Sequence, residues 1–218
     1  MSFKGAVTAR CPKGCEESDF DVWSFIRGDI DDDLRLSLLA GDLNLVRCLQ
    51  CGEVFRPEAT VLYCDVRAGV FACVFPESYQ QEEPRWRAKM HGDFEQMRSA
   101  LGAEMPLDEE PLVFFGAEGL RRILQADDDL EDEVQVARYF CERLGYRMRP
   151  VLRSFARARN LPRMLPSREW KEGAPFSLEE TVKALETLLK ENDALEGYKR
   201  WLAELGTAKE PPPPVGKK

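Results

Sequence analysis

The segments Cys11-Pro12-Lys13-Gly14-Cys15 and Cys48-Leu49-Gln50-Cys51-Gly52 decide the fold of the first part of this 218-residue chain. Each has the composition of a knuckle, a tight turn that directs two cysteine thiolates toward one point. Two knuckles supply four sulfur ligands, and four sulfurs close the tetrahedral shell of a structural zinc ion with no position left for water. The sequence therefore predicts one structural zinc site, formed by Cys11, Cys15, Cys48 and Cys51.

Other uses of these cysteines stay open at this point. The 32 residues between Cys15 and Cys48 are more than is usual in zinc ribbons, and one alternative is that both pairs are ordinary thiols. A second alternative is redox chemistry at Cys48 and Cys51, but such motifs normally open a helix, and Gly52-Glu53-Val54-Phe55 has the pattern of a strand. A third is iron in place of zinc, since four thiolates also form a rubredoxin-like centre.

Composition and charge narrow the class of protein. The seven cysteines are an odd number, which suits a reducing compartment better than a disulfide framework. No apolar run approaches the roughly 18 residues of a membrane span, and the first five residues lack the apolar stretch of a secretory signal. We therefore expect a folded cytoplasmic protein that does not bind membranes.

The net charge of -8 opposes binding to polyanions unless a local basic patch exists.

Residue periodicity predicts an α+β fold. Residues 4–75 have the pattern of short strands around one helix that begins at Asp31–Asp33 and ends at Gly41. Residues 77–101 follow the spacing of an amphipathic helix, 111–115 that of a buried strand, and two further helices are predicted, one ending near Leu124 and one over 130–144. The predicted architecture is a zinc-ribbon-like antiparallel β unit with a helical subdomain, followed by an all-helical C-terminal region.

Three segments are predicted along the chain. Residues 1–148 form the metal-binding α+β domain and residues 149–206 the helical C-terminal region, in which Pro150 opens a helix and Ser177 begins another. Residues 207–218 combine four prolines with lysines, a composition that buries too little apolar surface to order itself. We therefore expect this tail to be disordered.

The two knuckles and their surroundings resemble the CpXC domain, a bacterial and archaeal module named for its two Cys-Pro-x-Cys motifs. The similarity extends from Val7 through Pro76, includes Leu62-Tyr63-Cys64-Asp65, and continues through Val113-Phe114-Phe115-Gly116. The first knuckle keeps Pro12 but has one extra residue, and the second has Leu49 in place of proline. The resemblance implies the same four metal ligands and no particular reaction.

One basic segment stands out in an otherwise acidic chain. Eight arginines and no acidic residue occur between Arg143 and Arg168. One interpretation is a stripe of guanidinium groups that meets phosphates of a nucleic acid. The favoured interpretation is that these arginines pair with the protein's own acidic segment near residue 130. The residues concerned are Arg147, Arg149, Arg153, Arg157, Arg159 and Arg163.

The sequence supports a non-catalytic function. Its single histidine excludes most arrangements for general-base catalysis, and it carries no glycine-rich phosphate loop. We expect a protein-interaction or scaffold module whose partner is a protein, with the helical region 149–206 as the interaction surface. Nucleic-acid binding through residues 143–168 is the alternative.

Overall fold

The computed structural model describes residues 1–101, 111–168, 176–207 and 211–213. The chain divides into two compact units, an N-terminal unit, Met1–Leu124, and a C-terminal unit, Gln125–Lys218. None of the described helices combines the length and apolarity that crossing a membrane requires.

Among its described residues, the N-terminal unit contains seven strands and two helices that lie wholly within it. In chain order these are β1 (Phe3–Ala9), β2 (Ser18–Arg27), α1 (Asp32–Ala40), β3 (Val46–Arg47), β4 (Val54–Phe55), β5 (Val61–Asp65), β6 (Val70–Phe75), α2 (Glu83–Leu101) and β7 (Leu112–Phe115). A 3-10 helix, Glu77–Glu82, leads into α2. As predicted, α1 begins with the acidic residues Asp32 and Asp33 and ends at Gly41, which is left-handed with φ of 81°.

Five of the strands form one sheet in the order β1-β2-β5-β6-β7, while β3 and β4 form a separate hairpin. The predicted antiparallel unit is a mixed sheet: β1–β2 and β5–β6 are antiparallel, and β2–β5 and β6–β7 are parallel. Parallel pairing requires a crossover connection, and the segments that contain α1 and α2 provide the two crossovers.

Helices pack on both faces of the five-stranded sheet. One face packs against α1, and Tyr63 and Ala72 lie in this core together with Leu38. The opposite face packs against α2, where Phe71 and Cys73 meet Met90 and other residues of the helix. Because successive residues of β6 point to opposite faces, all six of its residues are buried, which explains its uninterrupted apolar sequence.

The C-terminal unit is helical but not wholly so, which corrects the all-helical prediction. After α3 (Glu118–Arg143) come β8 (Arg147–Pro150), α4 (Arg153–Ala158), β9 (Met164–Ser167), α5 (Leu178–Glu191) and α6 (Glu196–Thr207). Strands β8 and β9 pair antiparallel, with Met148 opposite Pro166. The prolines that suggested helix starts and loops are tolerated here because a two-stranded sheet has only edge strands.

Helix α3 replaces the two shorter helices that the sequence predicted. Asp127 and its acidic neighbours lie inside this helix instead of opening a new one. The division between the units also falls within α3, after Leu124, whereas the predicted boundary lay near residue 148. The reason is packing: Leu120 and Leu124 are buried in a core of the N-terminal unit, and Ala137 and Cys141 in the core of the C-terminal unit.

Part of the predicted disordered tail, 207–218, is ordered in the C-terminal unit. Thr207 ends α6, Pro212 is buried, and the backbone N–H of Leu152 donates to the carbonyl of Pro213 at 3.1 Å. Proline has little backbone freedom to lose, so a few weak contacts can order it. Residues 208–210 and 214–218 lie outside the described residues.

Candidate metal centre

The first knuckle occupies the loop between β1 and β2. The loop begins just after the last register pair of this hairpin, Ala9 opposite Ser18. Within it, the N–H of Gly14 donates to the carbonyl of Cys11 at 2.9 Å, and Gly14 is left-handed with φ of 80°. The N–H of Lys13 also faces the Cys11 sulfur at 3.5 Å. This turn accommodates the extra residue between the two cysteines.

The second knuckle occupies the loop between β3 and β4, where Arg47 pairs with Val54. The N–H of Gly52 donates to the carbonyl of Cys48 at 2.9 Å, and the N–H of Cys48 donates to the carbonyl of Glu53 at 2.8 Å. Gly52 is left-handed with φ of 78°. In both knuckles, therefore, the N–H of a left-handed glycine donates to the carbonyl of the first cysteine and closes the turn.

Several contacts join the two hairpins, among them an ion pair between Lys13 and Glu53 at 3.9 Å. The side chain of Asn44 accepts from the N–H of Trp23 at 2.7 Å and donates to the carbonyl of the same residue at 2.9 Å. The ring of Phe20 on β2 meets that of Phe55 on β4 edge-on, with centroids 5.4 Å apart. At the loops themselves, the N–H of Glu16 faces Gln50 Oε1 at 3.4 Å. These contacts bring two distant parts of the sequence to one place.

The structure brings all four predicted ligands together. Their Sγ atoms lie within 4.8 Å of one another, and those of Cys11 and Cys51 are 3.5 Å apart. Four sulfurs at about 2.3 Å from one cation stand about 3.8 Å apart, so the observed cluster is compatible with one metal ion. Cys11 and Cys48 are buried, whereas Cys51 is exposed.

The thiols have unequal acidity. The backbone N–H groups of Cys51 and Gln50 lower the pKa of Cys48 to about 7. Hydrogen bonding with Cys51, together with burial, raises the pKa of Cys15 to about 12, and burial raises the pKa of Cys11. Since thiolates repel one another, the cluster favours a cation that can take the place of several protons.

The three remaining cysteines lie apart from the cluster. Cys64 and Cys73 are buried in the N-terminal unit, and Cys141 is buried in the C-terminal unit. Burial raises the pKa of Cys64 and Cys141 to about 11 and that of Cys73 to about 12. They are small core residues and carry no charge near neutral pH.

Several of the candidate arginines are engaged within the C-terminal unit. Arg157 and Arg163 form ion pairs with Asp127 and Glu131 of α3, at 2.9 and 2.7 Å. The pair of Arg157 is largely buried, with side chains 15% and 23% exposed. These contacts are the pairing with the acidic segment near residue 130 that the sequence favoured.

The other four candidate arginines lie on different elements of the C-terminal unit. Arg159 pairs with Glu204 at 3.0 Å and lies over the ring of Phe155. Arg149 on β8 lies over the ring of Phe176. Arg147 is exposed on β8, and Arg153 is the first residue of α4. The six arginines are thus distributed over one strand, one helix and two loop positions.

Sequence reasoning missed the residues that hold the two knuckles together. Asn44 and Phe20 belong to no motif that the sequence analysis used, Gln50 is a non-ligand residue of the second knuckle, and the roles of all three depend on contacts between distant segments. The signal in the sequence was the residue type itself, because asparagine is one of the few residues that adopt a positive φ readily. In the structure, Asn44 has a φ of 60°.

Comparison with known proteins identifies a family. The family model described as CpXC protein matches residues 9–138, more than half of the chain and a range that includes all four clustered cysteines. No curated protein and no solved structure gives a significant match. The match agrees with the two knuckles on adjoining hairpins, and this chain belongs to the CpXC protein family.

Proposed function

We propose that this protein is a non-catalytic protein-interaction module in which one structural zinc ion joins the two knuckles. The observation that carries the proposal is the convergence of four cysteine sulfurs within 4.8 Å. Zinc binds four thiolates in a tetrahedron without any geometric preference from its d-electrons. The exchange of three or four thiol protons for one divalent cation is the ordinary chemistry of such sites.

The composition of the cluster supports a structural role for the metal. Catalytic zinc sites have three protein ligands and keep a fourth position for water or substrate. Within the part of the chain that the structure describes, the clustered group consists of four cysteines and includes no histidine or carboxylate. Four thiolates complete the shell, which leaves the ion without a position for a reacting water.

The metal's identity is tested by elemental analysis of the purified protein. We expect one zinc per chain in the wild type and less than about a tenth of that in Cys48→Ser, which removes one ligand. Cys141→Ala, a buried cysteine outside the cluster, is the matched control and should keep its zinc. Iron instead of zinc would give a coloured protein. Equal metal content in Cys48→Ser and the wild type would disprove the site.

Exposed apolar side chains on the β3–β4 hairpin support binding to a protein. Leu49, at the tip of the second knuckle, is 91% exposed, and Val54 and Leu45 are 50% and 46% exposed. Single exposed apolar residues are common, but these three occur within one short hairpin. We call them the knuckle patch. A metal-bound hairpin would present this patch in a fixed conformation, which lowers the entropy cost of binding.

The ion pairs in the C-terminal unit support a protein partner over a nucleic acid. Arg157, Arg159 and Arg163 have carboxylate partners within the protein, and binding phosphate would require breaking those pairs. The overall charge of -8 also opposes association with a polyanion. A mobility-shift assay at low and moderate salt should show no salt-sensitive binding to DNA or RNA. Salt-sensitive binding would favour the nucleic-acid alternative.

The interaction itself is tested by comparing partners of surface variants. Quantitative affinity purification should recover a specific protein with the wild type and lose it with the double variant Leu49→Ser/Val54→Ser. Leu36→Ser is the control, because Leu36 is 60% exposed on α1, outside the knuckle patch. Loss with Leu178→Ser, a 41% exposed residue of α5, would instead place the surface in residues 149–206. Retention by all variants would contradict both placements.

A further inference from the structure

A cavity of about 610 Å³ lies in the N-terminal unit, between α2 and the face of the five-stranded sheet. Its floor and walls consist of Leu62, Cys73, Phe75, Trp86 and Met90. Four polar residues complete the lining, namely Thr60, Lys89, Asp93 and Gln96. The metal ligands do not line it, so this cavity is a feature separate from the knuckles.

The cavity exists because α2 covers only part of the sheet face. The rings of the helix meet β6: Phe94 lies 5.3 Å from Phe71, and Trp86 lies 5.3 Å from Phe75. On the next strand, Leu62 is paired with Cys73 and remains only partly buried. Among the described residues, the part of the sheet face around Leu62 therefore lies beside the helix, and the apolar floor is open on one side.

The floor suits an apolar ligand. Trp86 offers an aromatic wall, and Met90 a flexible and polarisable one that adapts to the shape of its contacts. Burial raises the pKa of the Cys73 thiol to about 12, so this residue contributes a neutral surface. The volume also falls within the range of roughly 300–1,000 Å³ that is typical of small-molecule sites.

The rim is polar but carries no net charge. Lys89 and Asp93 lie one turn apart on α2 and form an ion pair with each other. Thr60 and Gln96 are uncharged, and Thr60 is half-buried whereas Gln96 is exposed. A ligand that displaces water from this rim thus meets a hydroxyl and an amide that can pair with it, whereas the charges already compensate each other.

We propose that this cavity binds a neutral amphiphile, a small molecule with an apolar aromatic or alkyl body and an uncharged hydrogen-bonding end such as an amide, ketone or alcohol. The apolar body lies on the sheet face beside α2, and the polar end faces Thr60 and Gln96. An anionic end is disfavoured because Asp93 offsets Lys89. This binding function is independent of the proposed role of the metal centre.

The test uses two fluorescent probes with the metal-loaded 218-residue chain. The neutral naphthyl ketone prodan matches the proposed ligand class, and anilinonaphthalene sulfonate is an anionic counterpart of similar size. We expect saturable binding of one prodan per chain with a blue-shifted emission. The anionic probe should bind at least about tenfold more weakly.

Two variants fill the cavity, and one controls for the added tryptophan. Leu62→Trp and Thr60→Trp place an indole in the lining, and each should weaken prodan binding by about tenfold or more. Leu36→Trp adds the same side chain on α1, outside the cavity, and should bind prodan as the wild type does. Thr60 precedes β5, so its variant keeps the test decisive if Leu62→Trp does not fold.

Three results would overturn the proposal. Absence of saturable prodan binding by the wild type would show that the cavity holds no such ligand. Unchanged affinity in a folded Thr60→Trp or Leu62→Trp variant would place the probe elsewhere on the protein. Equal or tighter binding of the anionic probe at the same site would reject the neutral class of ligand.

Discussion

At the scale of single residues, Asn44 connects the chain just before the second knuckle to strand β2. Its amide occupies both hydrogen-bonding groups of Trp23, as a neighbouring strand would, and fixes the start of the β3–β4 hairpin beside β2. The positive φ of 60° turns the chain at this point. No spacing rule would have revealed this contact, since the two residues are related only in the folded state.

We call the two hydrogen bonds between the Asn44 side chain and the Trp23 backbone the Asn44 clamp, and they predict a specific loss of stability. Asn44→Ala should lower the free energy of unfolding by about 2–4 kcal/mol, because two hydrogen bonds are lost and alanine is disfavoured at positive φ. Urea denaturation of the metal-loaded protein measures the change. Asn160→Ala is the matched control: Asn160 also has a positive φ, of 51°, and should lose only the conformational part, about 1–2 kcal/mol. Equal losses would refute the clamp.

Asp29 predicts a dependence of stability on pH. Its carboxylate, 8% exposed, accepts from Arg27 Nε and Nη2 at 2.8 and 2.7 Å, and these hydrogen bonds lower the pKa of Asp29. The ion pair therefore stabilises the fold fully above about pH 4, the ordinary value, and the stabilisation is lost as pH falls through the lowered pKa.

The corresponding measurement compares Asp29→Asn with the wild type across pH. The variant should be less stable by about 1–3 kcal/mol at pH 7, and this difference should shrink below about pH 4 as the wild-type carboxyl is protonated. Metal loss in acid affects both proteins alike, so the difference isolates Asp29. A difference that stays constant down to pH 2 would exclude the carboxylate as its source.

At the scale of elements, the knuckles were the predictable part of the structure. Four cysteines with tight-turn composition specify local geometry, and α1, the β5–β6 hairpin and α2 follow from residue periodicity in the same way. Local signals failed at α3 and at β8–β9. The acidic residues of α3 have the pattern of a helix start, and the prolines of β8 and β9 have the pattern of helix starts and loops. In both segments tertiary packing determines the observed secondary structure instead.

The left-handed glycine of the second knuckle predicts a loss of metal affinity. A Cβ at Gly52 would meet no atom within 4 Å, so Gly52→Ala changes only the backbone preference at φ of 78°. The cost of about 1–2 kcal/mol should weaken zinc binding by roughly 5- to 30-fold in chelator competition. Gly92→Ala, in open space on α2 without a positive φ, should leave affinity unchanged. Unaltered affinity in Gly52→Ala would contradict this reading.

At the scale of the whole molecule, the metal centre lies outside the main cores. The N-terminal unit has an apolar core on each face of its sheet, and none of the four clustered cysteines belongs to either. Small zinc peptides unfold without metal, but this sheet has its own apolar cores to sustain it. The position of these cores relative to the cysteines depends on strand order, which the sequence pattern does not specify.

Removal of the metal should therefore unfold the knuckles and spare the sheet. After chelation, hydrogen exchange should accelerate at the amides of Val46–Arg47 and Val54–Phe55, which belong to the β3–β4 hairpin. The amides of Val61–Asp65 and Val70–Phe75 should stay protected. Exchange of these central strands at unstructured rates would mean that the metal holds the entire unit together.

X-ray absorption at the zinc edge of the purified protein tests the central claim most directly. Its fine structure counts the atoms around the ion and identifies their element. We expect four sulfur atoms at about 2.3 Å and no nitrogen or oxygen in the inner shell. A shell with fewer than four sulfurs, or one completed by nitrogen or oxygen, would contradict a closed site formed by Cys11, Cys15, Cys48 and Cys51.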